Sequence, residues 1–447
     1  MKKLIATLLA VALVMSCCML TGCGNTAEES PVADGGEGTV SGKITLWTNN
    51  STNTTTYFTA ALERFAEAYP DIEVTLEQFP DYATKVNQSF AAGEEGDVVF
   101  TWQSVADWAK AGKILQVPED VYSNEEMEAT FYAGAIKNKM YDGKYYMVSN
   151  EINVESPTLF VNMDILADRG IELPGGWIEN NGPESWEELV AFAKTLNQYD
   201  SNGNLVFSGL SYAYAQWEAQ FESLIFQYGG DFRDEENNTV HFQTPEAKSA
   251  AEFLLKYLTP GEDQICVGTT PRSEDFEMMT CAMCIGAPWY ASTFDSDIPD
   301  TNYQVFNLPP FVEGADPVCL ATGGWGYCVS ADTKYPEACW ALVKFLTSAY
   351  ENGEWAYTTG ALPSHKEALS DLTYDPNVGS KDKAIALSKL VLDYAEEDGA
   401  YLLTTSTLTY TIIREGLYQL LEDHDVDSFL ATIQSRAEQM IADNNSR

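Results

Sequence analysis

The chain has 447 residues, with 67 Asp and Glu against 25 Lys and Arg and a formal net charge of −42. Hydrophobic residues make up 45% and aromatic residues 12%, enough for a packed core, so wholesale disorder is excluded and the length predicts two or three domains. A chain this poor in Lys and Arg is excluded from charge-driven binding to nucleic acid or anionic lipid; its acids instead read as a solvated surface that favours solubility.

Lys2 and Lys3 precede an apolar run from Leu4 to Met15. That run suits a signal-peptide core and is too short to span a bilayer. Leu20-Thr21-Gly22-Cys23 follows and is similar to the lipobox of bacterial lipoproteins. The resemblance implies a signal peptide over 1–22 and a lipid on Cys23. Cleavage there would remove two Lys and no acids, taking the charge from −42 to −44. Residues 23–42 are rich in Gly, Glu, Thr and Ser and read as a flexible tether. Nothing later in the sequence has the length and apolarity of a transmembrane helix.

Lys43 to Trp47 predicts a strand that ends in polar Thr48-Asn49-Asn50. Phe58, Leu62, Phe65 and Tyr69 recur at helical spacing up to Pro70, which stops the helix. Ile72 to Leu76 alternates as a strand, and Asp97-Val-Val-Phe100 reads as a buried strand with Asp97 ordering its own turn. Strands alternating with helices predict an α/β fold with a largely parallel sheet. A second such unit begins near Pro157, with a strand at Thr158-Leu-Phe-Val-Asn162. Ser185-Trp-Glu-Glu188 predicts a capping box, and Leu189, Phe192 and Leu196 line one face of the helix behind it. Further helices are expected at 247–258, 336–349 and 426–441, with Trp186, Trp340, Phe192 and Phe345 in the packing.

Nine Cys are present; Cys17 and Cys18 belong to the signal segment and Cys23 to the lipobox. Cys266, Cys281, Cys284, Cys319, Cys328 and Cys339 remain, and an exported protein with six Cys invites a disulfide reading. However, Met278 to Ile285 is a continuous apolar run that predicts a buried strand, on which residues three apart face opposite ways. Cys281 and Cys284 are therefore expected as buried thiols, small hydrophobes in effect. Only three His occur, without acid-rich spacing, so no metal site is expected. Asp200-Ser-Asn-Gly-Asn204 predicts an Asx turn rather than a calcium loop. No G-x-G-x-x-G follows a strand, so a nucleotide cofactor has no support.

Taken together, seven features resemble the extracellular solute-binding proteins of ABC importers, in the carbohydrate-binding family that includes maltose-binding protein. They are the lipobox and tether, Ile44-Thr-Leu-Trp47, Ala68-Tyr-Pro-Asp-Ile-Glu-Val74, Gly96-Asp-Val-Val99, Gly143-Lys-Tyr-Tyr146 leading to Leu159-Phe-Val-Asn162 and Met163-Asp-Ile-Leu166, Cys281-Ala-Met-Cys-Ile-Gly286 with Trp289, and Gly323-Gly-Trp-Gly326 with the helix after Pro336. The family's more usual Tyr is replaced by Val161. The resemblance implies a two-lobed periplasmic-binding-protein-like α/β fold of the class II type, with a hinge and an interlobe ligand cleft. It implies lobe 1 over 43–152 and 324–360, and lobe 2 over 153–323 and 361–447. Chain crossings would lie near 150–156, 321–324 and 358–363. It further implies a carbohydrate ligand, ABC permease partners, no cofactor, a monomer, and an extracytoplasmic protein held to the membrane through lipid on Cys23.

Ligands of α/β folds sit at the carboxyl ends of strands. Trp47 with Asn49, Trp102, and Trp289 occupy such ends, and Trp325 follows Gly324 in a Gly-rich crossing where backbone can approach a ligand. Aromatic rings suit the C–H faces of a sugar, and carboxamide, carboxylate and hydroxyl groups suit its edges. The candidate contacts are Trp47, Asn49, Trp102, Glu151, Trp217, Trp289, Gly324 and Trp325. For each Trp the alternative is core packing, and for Glu151 a solvated hinge position. Trp217 is supported only by the nearby Tyr212 and Tyr214. Two other functions remain open: the same fold with a cation, polyamine, peptide or phosphate ester, and a secreted glycosidase, which would need a carboxylate pair that no motif singles out.

Overall fold

The computed structural model describes residues 40–103, 105–154, 157–211, 217–234, 236–237, 239–266, 274–368, 370, 384–386, 392–397 and 408–445. The signal segment, Cys23, all but the last three residues of the predicted tether, and Tyr212 and Tyr214 lie outside them.

Gly42–Asn49 forms a strand, and Ser51 then caps the Thr52–Ala68 helix by accepting the Thr54 N–H at 3.2 Å. Phe58 and Phe65 lie on the buried stripe of that helix as the spacing predicts, with Tyr57 and Ala61 beside them, while Leu62 and Tyr69 are only half-buried. The first sheet has the order Ile72–Phe79, Gly42–Asn49, Val98–Thr101, Gly326–Val329, Val148–Ser149. Its first three strands are parallel. Gly326–Val329 is antiparallel to both its neighbours, because the chain re-enters the sheet from the opposite direction. The sheet is therefore mixed, where a largely parallel one was expected. Tyr57, Phe58, Phe100, Tyr327, Trp340 and Trp355 share its main core cluster. Arg64 on the first helix holds Glu351 with two hydrogen bonds of 2.7 Å, joining that helix to Ala349–Thr359.

The second sheet has the order Tyr303–Asn307, Thr158–Asn162, Cys281–Gly286, Leu205–Ser211, Gln198–Tyr199, and is also mixed. Leu189, Phe192 and Leu196 face its core, together with Trp186 and residues of the Trp217–Gln227, Pro245–Leu258, Arg414–Asp423 and Val426–Asn445 helices. Ser185 caps Glu188 N–H at 3.1 Å, but the Glu188 carboxylate accepts from the Glu184 amide, so only half of the expected capping box forms. The strand after Met278 is shorter than its apolar run. Met278 and Met279 are exposed, and Met279 takes a positive φ in the turn that precedes Cys281. The helix expected over 336–349 divides into Pro336–Leu346 and Ala349–Thr359, because Ser348 starts a new N-cap.

A third sheet joins the segments expected as crossings. Its order is Leu362–Pro363, Glu151–Val154, Cys319–Thr322, Ala395–Glu397, the last strand having no counterpart in the sequence reading. All six Cys from 266 to 339 are buried, and Cys281, Cys284, Cys328 and Cys339 are thiols. Asp200 accepts the Asn202 and Asn204 amides at 2.8 Å, which is the expected Asx turn. Asp97, by contrast, reaches beyond its own turn: its carboxylate accepts from Thr45 N–H and Oγ1 and from Thr333 Oγ1.

Candidate functional site

The first sheet and the third sheet meet at Gly323-Gly324-Trp325. Lys139, buried, donates from Nζ to the Gly324 carbonyl at 2.8 Å. Gly324 has φ +46, and a Cβ there would lie 2.4 Å from the Glu151 carbonyl oxygen. Only glycine fits this approach without displacing backbone. The next residue, Trp325, donates its amide to Glu151 Oε1 at 3.3 Å, while its carbonyl accepts the Asn150 and Glu151 amides at 2.8 and 3.2 Å. The Trp355 indole donates to Glu151 Oε2 at 2.9 Å. Asn352 donates to both the carbonyl and the side-chain oxygen of Asn150, and its own oxygen accepts the His365 amide. The first two crossings are thereby tied to each other and to the Ala349–Thr359 helix, and through Asn352 to His365 just past the third.

Glu151 is 4% exposed, so it is no solvated hinge residue. Burial pushes its carboxyl up to about 7, against the pull of the Trp355 and Trp325 donors and the Lys139 charge. Its carboxylate is engaged by the Trp325 amide and the Trp355 indole.

In front of Glu151 the aromatic rings gather. Trp102, at the end of Val98–Thr101, is 41% exposed and lies 4.6 Å between centroids from Trp325. Trp325, half-buried, also contacts Phe100 at 5.0 Å and stacks on Tyr82 at 6.0 Å. The Tyr82 hydroxyl donates to the Trp47 carbonyl at 2.8 Å. Trp102 and Trp325 thus form a partly open aromatic pair next to the Gly323-Gly324 crossing. The two rings are tilted by 51°, and the exposed part of Trp102 offers an apolar ring face.

A scan of family models matches residues 60–386 to the bacterial extracellular solute-binding proteins. The chain belongs to that family. This solute-binding protein is therefore one of a family that binds rather than transforms, and it works outside the cytoplasm. Among its described residues no helix is long and apolar enough to cross a membrane. Its fold is shared with two-lobed binding proteins of known structure. The GacH receptor of Streptomyces glaucescens, solved unliganded and with acarbose, matches at 20% identity with a TM-score of 0.69, over 90% of this chain and 99% of that one. MalE of Bdellovibrio bacteriovorus, bound to maltotriose, matches at 21% with 0.66, over 90% and 100%. UgpB of Mycobacterium tuberculosis, in complex with glycerophosphocholine, matches at 19% with 0.69, over 91% and 100%.

The remaining candidates fall in different places on this solute-binding protein. Trp47 is in the core: its indole donates to Glu77 at 2.7 Å, Phe79 packs edge-on at 4.8 Å, and Lys85 covers the ring at 4.7 Å. Asn49 is half-buried, with its carbonyl accepting from Gln78 at 3.0 Å and its side chain from Thr48 at 3.3 Å. Trp217 is 3% exposed within the second lobe's main cluster, its ring 6.3 Å from Tyr418. The structure corrects it to core packing, since burial leaves no ring face to offer. Trp289, half-buried at the start of Tyr290–Asp297, packs edge-on to Tyr290 beside the cluster of Phe160, Phe276 and Phe294. A separate crevice lined by Pro157, Gln227, Phe311 and Val318 holds none of these aromatic residues.

Sequence reasoning missed Tyr82, Lys139, Asn352 and Trp355. Lys139 sits in Lys137-Asn-Lys139, which reads as an exposed polar turn, and no local pattern signals its burial. Trp355 meets Glu151 across 204 residues, and nothing in either segment announces the other.

Proposed function

We propose that this protein is a lipid-anchored receptor that captures a carbohydrate between its lobes and delivers it to the permease of an ABC importer. The observation that carries this reading is the exposed Trp102 ring packed on Trp325 at the point where the chain crosses between sheets. A sugar ring offers a C–H face that suits such a surface, while its hydroxyls require the polar groups beside it. Neighbours of the same fold were solved with acarbose and maltotriose, which supports a saccharide. We place lobe 1 at 43–152 and 324–360 and lobe 2 at 153–323 and 361–447, with Ile385 and Leu392 of the last stretch packing into the first lobe's cluster. Closure of the lobes on ligand would be a population shift, driven by contacts available only in the closed form.

The test is a ligand panel read by Trp fluorescence and thermal unfolding, with maltotriose, mannobiose and glycerophosphocholine as separate arms. A ligand at a hundred times its Kd stabilises the folded state by about 2.7 kcal/mol, which a thermal scan resolves. We expect a saccharide to shift both signals, with no product formed. A shift from glycerophosphocholine alone refutes the sugar assignment, and saccharide hydrolysis refutes the receptor assignment. Lipid on Cys23 is tested by radiolabelled fatty acid in the native host; loss of label in Cys23→Ser is expected. Copurification of the wild type with inner-membrane transport subunits tests the permease partner.

A further inference from the structure

The third sheet packs on one lobe and is gripped by polar groups of the other. Its apolar side chains Ile152, Val154, Cys319, Ala321 and Leu362 join the first sheet's core cluster. The second lobe reaches it from the Trp217–Gln227 helix and from the hairpin of Arg233–Asp234 and Thr239–Val240, with Phe232 and Val240 in the second lobe's main cluster. Ser223 Oγ accepts the Leu320 amide at 2.9 Å, and Gln227 Nε2 donates to the Val318 carbonyl at 2.8 Å. Arg233 Nη2 donates to Glu396 Oε2 at 2.8 Å. Leu320 and Glu396 are partners across the sheet, so Ser223 and Arg233 hold the same rung. The Ser223 bond is buried, whereas the Glu396 side chain is 46% exposed.

We propose that the Arg233–Glu396 pair is a latch that holds the second lobe docked on the third sheet and limits how often the two separate. The pair joins two bodies, whereas Arg64–Glu351 lies within the first lobe and Lys248–Asp427 and Arg414–Glu218 lie within the second. Arg233 is set in place before Glu396 engages it. Asp231 accepts from Nε and Nη2 at 2.9 Å each, and the guanidinium lies 4.7 Å from the Phe226 ring centroid. A guanidinium fixed in this way loses little side-chain freedom when it takes a second carboxylate. Release is reversible for the same reason. Arg233 keeps Asp231 and Phe226, and Glu396 returns to water, so opening strands no unpaired buried charge. The backbone contacts of Ser223 and Gln227 complete the boundary, and the Leu320 amide, whose acceptor sits on the other lobe, reports its opening. Any bearing of the latch on ligand capture rests on the function proposed above; the latch itself does not.

The test uses the ligand-free protein, so failure of the carbohydrate reading leaves its outcome untouched. Amide hydrogen exchange is followed at Leu320, with Phe100 in the first sheet as the measure of global opening. The proteins are the wild type, Glu396→Gln and Asp427→Asn, the last removing an ion pair internal to the second lobe. We expect Glu396→Gln to speed Leu320 exchange by up to about fivefold with Phe100 unchanged, and Asp427→Asn to alter neither. Salt at 1 M screens charges beyond about 3 Å, so it should speed Leu320 exchange in the wild type and have little further effect in Glu396→Gln. Leu320 exchange unmoved in Glu396→Gln overturns the proposal, as does equal acceleration at Phe100 or in Asp427→Asn. A salt response of Leu320 that is the same in the wild type and Glu396→Gln overturns it as well.

Discussion

Gly324→Ala separates the demands placed on the crossing. Two costs are expected. The first is conformational: Gly324 has φ +46, and an L-residue in the left-handed region loses about 1 kcal/mol. The second is steric. The added Cβ would lie 2.4 Å from the Glu151 carbonyl oxygen and 2.7 Å from its Cγ, and backbone has to shift to admit it. Overpacking of this kind costs about 1–3 kcal/mol, so the total is about 2–4 kcal/mol. Gly112→Ala supplies the control. Gly112 has φ +66 with nothing within 4 Å of its Cβ position, so only the first cost applies. Urea unfolding of both variants, compared at equal slope, gives the difference directly. The strand that must yield carries Glu151, so Gly324→Ala should also weaken ligand binding, whereas Gly112→Ala should not. If Gly324→Ala is no less stable than Gly112→Ala, the close approach of Gly324 to Glu151 is not a constraint, and the account of the crossing fails.

Three further outcomes follow from burial and charge. Trp102→Ala should change stability by less than about 1 kcal/mol while lowering saccharide affinity at least tenfold, about 1.4 kcal/mol; Trp217→Ala should instead cost about 3–5 kcal/mol of stability. Chemical unfolding and calorimetric titration of both variants check this contrast. Glu151 contributes a pH dependence of known sign: its folded value of about 7 lies above the ordinary 4.5, so the folded state binds more protons between the two and stability falls as pH rises through that window. The loss levels off above the folded value at about 3 kcal/mol, and the wild type minus Glu151→Gln difference in unfolding free energy, measured from pH 4 to 8, should carry that slope. Burial holds the Cys281 and Cys284 thiols well above their ordinary range and pushes Cys328 and Cys339 up to about 12. A disulfide reagent at pH 8 should therefore leave these four unmodified in the native protein and react with them after denaturation without reductant.

Much of the fold was legible along the chain. Phe58 and Phe65 lie two helical turns apart, Pro70 stops the helix after Ala68, and Ile72 begins the next strand. Their determinants sit within one turn or one pleat, so local pattern suffices. The crossings near 150–156, 321–324 and 358–363 were placed by family resemblance, and three of the four strands of the third sheet come from those segments. The Met278–Ile285 run misled at its start, because apolar composition does not distinguish a strand from the exposed turn that feeds it.

The candidate site shows the boundary between the two kinds of information most clearly. Trp47 and Trp102 both stand at the ends of parallel strands, and their local sequences offer no reason to treat them differently. One is 5% exposed beneath Phe79 and Lys85, and the other 41% exposed above Trp325. Composition by itself determined what the surface is, an acidic, soluble exterior, and local periodicity determined which segments are strands and helices. Tertiary structure decided which aromatic rings stay open and which carboxylate is buried. Burial raises the Glu151 carboxyl against the pull of its donors Trp325 and Trp355, 174 and 204 residues away, and burial is set by whatever the fold brings to a side chain rather than by its neighbours in sequence.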